Sequence, residues 1–295
     1  MAFLVETLRT TAPLVGSYFV VIAGFLLAER LLPAERNQPW WDLVFSAGCT
    51  VFGMIATPFA IVLPSKVAEW AAPRIHGPLL NLDLNRLQTG IPGFDWPLMH
   101  LVLPLVPLFV FDFFYYWHHR LQHRIPVLWE QHKLHHTERS LNCLTNLRHH
   151  WLEEPMRVFT ITIPLAALIH VTPVPATLVG SLLAYWSIFF HANLRLPLGP
   201  LTPLLTGPQH HRIHHSRQPE HRDKNFAAFF PVWDLLFGTY CRAKPGEWPA
   251  TGLFEEERRA TLSDAVIGPF AAWATHLRAT SSRPSSTRRV RGTFP

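Results

Sequence analysis

The chain has 295 residues, 48% of them apolar and only 16% charged, with a formal net charge of +6. That length suits one large domain or two small ones, and so little charge argues against an ordinary soluble enzyme. The basic excess shows neither an aromatic-interleaved repeat nor zinc-finger spacing, so no nucleic-acid partner is expected. Cys49, Cys143 and Cys241 are scattered without a Cys-x-x-Cys, which excludes a disulfide framework and a thiolate metal site.

In chain order, residues 10–28, 43–65 and 96–111 carry no Asp, Glu, Lys or Arg. Each run approaches the roughly 20 apolar residues that cross a bilayer as one helix. The first is expected to stay as an anchor, because no small-residue cleavage site follows it. Residues 158–194 form a fourth uncharged stretch, too long for one span and broken by Pro173 and Pro175. This predicts a helical hairpin over 158–191 that starts and ends on one side of the membrane. That arrangement places 22 of the 26 basic residues on the side holding the third run's end, which the positive-inside rule makes cytoplasmic. The expected fold is therefore all-α and polytopic, with about three spanning helices, a helical hairpin and a cytoplasmic histidine-rich cap. Its organisation reads as a membrane region over 1–111, a catalytic domain over 112–245, and a C-terminal extension over 246–295. The Ser/Arg/Pro-rich tail is expected to be disordered. The basic surface suits anionic membrane lipids.

Most of the 18 histidines are concentrated in a few places. His119 and His123 close the third apolar run, four residues apart and therefore on one helix face. After Pro126, "HKLHH" places His132, His135 and His136 at i, i+3 and i+4. After the hairpin, His191 precedes "HRIHH", which repeats that spacing with His211, His214 and His215. Imidazole suits iron, zinc, copper or nickel. Eight to ten imidazoles are too many for one ion and suit two ions with open positions. Asp112, two helical turns before His119, is a candidate second-sphere carboxylate to a ligand or a gate to the hairpin. Of the adjacent His149 and His150, neither is singled out by spacing alone. Arg148 and Asp223 invite supporting roles.

These blocks resemble the fatty acid hydroxylase superfamily, also called the sterol desaturase family. "DFFYYWHHRLQHRIPVLWEQHKLHH" is similar to its Asp-x-x-x-Tyr-Trp-x-His-Arg block running into the second histidine box. "LRHHWLEEP" is similar to its Arg-x-His-Pro-x-Glu element, with Trp151 in place of Pro, which aligns His150 with the family histidine. "FFHANLRLP" carries His191, and "HRIHHSRQPEHRDKNFAAFFPVWDLLFGTY" carries the last block with Asp223, Asn225, Trp233 and Asp234. The resemblance implies a membrane non-haem di-iron enzyme that uses O2 and two external electrons on a lipid C–H bond. Its implied ligands are His119, His123, His132, His135, His136, His211, His214 and His215, with His191 a ninth and His150 a further candidate. It also implies a separate electron donor, cytochrome b5-like or a ferredoxin with its reductase, since no such module is fused. A multi-pass protein of a bacterial inner membrane is expected, rather than one of the endoplasmic reticulum. The competing readings are a histidine-rich zinc or copper transporter, which would place ligands within the spans, and a zinc hydrolase, for which no His-Glu-x-x-His exists.

Overall fold

The computed structural model describes residues 2–71, 74, 77–172, 176–253 and 260–281. Its long helices follow the apolar runs. Helix α1 spans Ala2–Leu31, α2 Trp40–Ala60 and α3 Val62–Ala71. A short helix, α4 (Pro92–Pro97), leads through a wide π turn at Leu98–Val102 into α5, Leu105–Arg124. Within that turn the Leu103 N–H reaches back five residues to the Leu98 carbonyl, at 2.9 Å. Pro104 follows at once and lacks an N–H, so the backbone widens instead of closing a normal α turn. The same device recurs at Val158–Thr162, immediately ahead of Pro164.

Among the described residues, two helical segments are long and apolar enough to cross a membrane, Trp40–Ala60 and Pro92–Arg124. The first apolar run falls within α1, whose side chains are described only from Gly16. The predicted hairpin has helical arms, α7 (Glu153–Arg157) continuing through the π turn into α8 (Ile163–Leu168), and α9 (Ala176–His191). Each arm is ~24 Å long at 1.5 Å per residue, shorter than a ~30 Å hydrocarbon core. The Pro turn at 173–175 and the tail after Ser281 lie outside the described residues.

The all-α expectation needs one correction, since the fold is mostly helical with a small sheet. Strand β2 (Ile169–Thr172) ends the first hairpin arm and pairs in parallel with β1 (Leu80–Asp83), Leu80 facing Ile169. The β-branched Ile169, Val171 and Thr172, followed by Pro173, favour extended backbone at that point.

The remaining helices gather around the histidines. Ile125 is extended and Pro126 opens α6 (Pro126–His136), so α6 turns back against α5. Helix α10 (Pro208–His214) follows α9, and α11 (Val232–Leu236) packs near α5. The C-terminal extension contributes α12, Leu262–Ser281, which lies on α6 through the Trp273 indole N–H on the Val127 carbonyl at 2.8 Å.

Helix α1 is tied to this body by a buried acid. Ile22 packs with Ile188, Ala192, Leu194 and Cys143. Two turns further on, Glu29 accepts the backbone N–H groups of Cys143 (2.7 Å) and Asn193 (2.8 Å). Replacing it leaves two buried donors unpaired, at about 1–3 kcal/mol each. Glu29→Ala is expected to lower the thermal midpoint of the detergent-solubilised protein by several degrees. An unchanged midpoint would contradict the anchoring role.

Candidate metal centre

The structure brings nine of the predicted histidines into two adjoining groups. His119, His123, His132, His136 and His214 form one, and His135, His191, His211 and His215 the other. In each group every residue offers a nitrogen within 4.8 Å of all the others. Neither group contains a carboxylate.

Each five-residue box serves both groups. On α6, His132 and His136 are about 40° apart around the helix axis, whereas His135 is about 100° from His136. The i, i+4 pair of the first box accordingly enters the five-membered group and its middle histidine the other. The second box does the reverse, with His211 and His215 in the four-membered group and His214 in the five-membered one. The groups touch where the boxes cross, the His136 and His215 rings stacking at 4.4 Å.

Backbone carbonyls aim several of the rings. Nδ1 of His119 donates to the Phe226 carbonyl (2.8 Å), Nδ1 of His214 to that of Lys224 (2.7 Å), and Nδ1 of His191 to that of Ser187 (2.7 Å). Nδ1 of His123 faces the Asp223 carboxylate at 3.4 Å. A proton held at Nδ1 leaves Nε2 as the free electron-pair donor, directed into the cluster. Nε2 of His119 and of His214 are buried there without a protein partner, as are both nitrogens of His132. In the second group the Nε2 atoms of His191 and His135, His211 and His191, and His215 and His211 lie 3.1, 2.9 and 3.1 Å apart. Imidazole nitrogens bound at ~2.0–2.1 Å to one tetrahedral ion would stand about 3.3 Å from one another. The converging nitrogens thus fit two cations, one per group.

Two of these carbonyls, those of Lys224 and Phe226, belong to one stretch of chain. Asp223 and Asn225 both have positive φ, 57° and 60°, a conformation that short polar side chains tolerate best. Asn225 holds its turn by donating to the carbonyls of His210 and Cys241 and accepting from the Cys241 N–H. Asp234 then accepts the N–H groups of Phe226 and Ala227 (2.8 and 3.0 Å), and Asp112 those of Ala228, Phe229 and Phe230 (3.0, 3.0 and 2.7 Å). This corrects the role expected of Asp112. Its fully buried carboxylate turns to backbone rather than to an imidazole, because three unpaired N–H groups face it across α5.

His150 needs a second correction. Its Nε2 faces the Val266 carbonyl of α12 (3.3 Å) and its Nδ1 accepts the Leu152 N–H (3.2 Å), so it belongs to neither group. The Trp151 indole also donates to Val266, which turns this stretch so that His149 faces inward instead. His149 stacks on His135, with centroids 4.3 Å apart and planes 12° apart, and its ring approaches His132 and Glu153. Burial alone would raise the Glu153 carboxyl. The hydrogen bond from His118, with Arg157 and His149 nearby, outweighs burial and holds it below the usual carboxylate range. Sequence spacing did not select His149 or Glu153, since the two adjacent histidines differ only in which way the chain turns.

Burial, reinforced by neighbouring imidazoles, pushes His132, His135, His136, His211, His214 and His215 well below the ordinary histidine value. They are held in the neutral, ligating form. In the metal-free protein, the unfolded chain therefore takes up protons below about pH 6.5 that the folded chain refuses. Stability is fully present above that value and falls as the pH drops, by up to about 1.4 kcal/mol per pH unit for each such imidazole. The thermal midpoint of metal-free protein is expected to fall steeply between pH 7 and pH 5. A flat profile across that range would contradict the buried neutral cluster.

Part of the chain is similar to known proteins. Residues 104–239 match the family model described as fatty acid hydroxylase. Human alkylglycerol monooxygenase is 36% identical over 132 residues, 44% of this chain but only 28% of that protein. The ornithine lipid hydroxylase OlsE of Rhizobium tropici is 28% identical over 235 residues, 76% of this chain and 65% of that protein. A cholesterol 25-hydroxylase-like protein of Danio rerio is 33% identical over 138 residues, 45% of this chain and 53% of that protein. No solved structure matches. The match to residues 104–239 takes in all nine grouped histidines, and this segment of the chain is similar to the fatty acid hydroxylase family.

Proposed function

We propose that this protein is a membrane-bound di-iron hydroxylase that uses O2 and two external electrons to oxidise a C–H bond of a lipid. The observation that carries the proposal is the pair of adjoining all-imidazole groups, five and four histidines strong. Imidazole accommodates zinc, copper, nickel and iron alike. Attack on an unactivated C–H bond calls for a redox-active metal, and iron would supply O2 activation. The named hydroxylases and monooxygenase among the relatives favour hydroxylation over desaturation and transport.

The chain's own residues divide the remaining work. The nine histidines would hold the ions, with His119, His191 and His214 kept in one tautomer by backbone carbonyls. A cavity of about 470 Å³ adjoins the cluster at His149 and runs between α1, α2, α5 and α9. That volume is in the range of ligand pockets. Its position between helices would bring a lipid to the histidines while keeping bulk water out. The exposed apolar side chains of α2, including Val51, Ile55 and Phe59, suit contact with acyl chains. Spans at α1, α2 and α4–α5, with the histidines on the basic, cytoplasmic side, complete the reading. Asp223, partly exposed and next to His123, would offer a face to a separate electron donor.

Protein purified from an iron-replete host should contain about two irons per chain and consume O2 only with both a reductant and membrane lipid. Lipid profiling of the host with and without the gene should show a hydroxylated species that depends on it. Stoichiometric zinc with no O2 uptake under any reductant would overturn the proposal.

A further inference from the structure

We propose that His149 is a gate between the cavity and the four-histidine group, and that its ring must swing aside before a substrate carbon reaches a bound ion. The inference deepens the function proposed above and rests on its two metal ions and its lipid cavity.

Among the described residues, none of the nine grouped histidines lines the cavity. The wall toward the second group is His149, which stacks on His135 with centroids 4.3 Å apart and planes 12° apart. A carbon resting on the outer face of that ring, at a contact distance of ~3.7 Å, stands about 8 Å from the His135 centroid. Hydrogen transfer calls for reacting atoms about 3–3.5 Å apart. A whole imidazole thus separates an occupant of the cavity from the nearest ligand ring.

The rest of this wall is tied down, and His149 is not. Ser187 gives its hydroxyl to the Asn146 side chain, whose amide donates to the Tyr18 hydroxyl at 3.0 Å. Tyr115 lies edge-on to His119 at 5.7 Å, with the Arg157 guanidinium 5.6 Å from its ring. By contrast, Nδ1 of His149 is buried without a hydrogen-bond partner. The chain on either side of His149 is held firmly. Arg148 donates to Glu138 (2.9 Å) and to the Thr137 hydroxyl (2.7 Å), and its N–H reaches the Thr145 carbonyl at 3.0 Å. His150 and Trp151 are both drawn to the Val266 carbonyl of α12. With the flanking residues fixed, the free motion left to His149 is rotation about its own side-chain bonds. That rotation breaks the stack on His135 and no hydrogen bond of Nδ1, and the cavity of about 470 Å³ gives the ring room to turn into.

The probe is 1-dodecylimidazole, whose alkyl chain suits the cavity and whose ring nitrogen coordinates an ion only when the way to it is open. Its binding is read from the visible ligand-field bands of full-length, cobalt-loaded protein in nanodiscs. His149→Ala is expected to bind the probe about tenfold more tightly than the wild type, since no stacked ring has to be displaced. His149→Trp, which keeps a ring there and enlarges it, is expected to bind it at least about tenfold more weakly. Unchanged affinity in either variant would overturn the gate. His149→Ala should still retain two cobalt ions per chain, and loss of one would mark His149 as a ligand and overturn the gate as well. Iron content and reductant-dependent O2 uptake of the iron-loaded wild type judge the oxidase reading separately. Two irons and O2 uptake, with probe affinity indifferent to residue 149, would remove this inference alone.

Discussion

Residues 226–230 offer five successive backbone N–H groups to two buried carboxylates, two to Asp234 and three to Asp112. Hydrogen bonds to charged acceptors are worth about 1.5–3 kcal/mol each, and a buried carboxylate stripped of them costs more than that. The segment and the two acids therefore hold each other in place. Asp112 comes from α5, which also carries His119 and His123, so the clamp fixes the distance between that helix and the loop. The loop's Lys224 and Phe226 carbonyls then set the tautomers of His214 and His119. Asp223 does the corresponding work for His123. Three of the five histidines in the larger group thus depend on one short stretch of chain that itself contributes no ligand.

The crossing of the two boxes follows from helix geometry once α6 and α10 are brought face to face. A box of the form His-x-x-His-His projects two rings in nearly one direction and a third to the side. When two such boxes oppose each other, each side-pointing ring joins the other box's pair. His135 enters the group of His211 and His215, and His214 the group of His132 and His136. Neither box completes a group alone. The hairpin and α5 close the arrangement by adding His191 to one group and His119 and His123 to the other. Such interlocking couples α5 and α9 to α6 and α10, because α6 and α10 each carry histidines of both groups.

Much of this was legible in the chain. The i, i+3, i+4 spacing marks helix faces, and the uncharged runs mark α2, α5 and the hairpin arms, because both signals are local. What stayed hidden depends on long-range turns of the backbone. Whether His149 or His150 faces the cluster is decided by α12, 116 residues further on, whose Val266 carbonyl draws Trp151 and His150 outward. Asp112 sits on the right face of α5 to reach a ligand, yet three N–H groups from the 226–230 loop claim it first. The β1–β2 pair joins segments distant in sequence that show no alternating pattern. Glu29, within a mainly apolar helix, gave no local sign of the two N–H groups it serves.

The central claim is that the two groups hold separate ions and that each box contributes to both. Metal content of the triple variant His119→Ala/His132→Ala/His214→Ala tests it most directly. Those substitutions draw on α5 and on both boxes but fall in one group only, leaving His135, His191, His211 and His215 intact. About one ion per chain should remain, bound as a mononuclear site by its spectrum. A variant that folds yet retains either no metal or two ions per chain would contradict the division of the histidines described above.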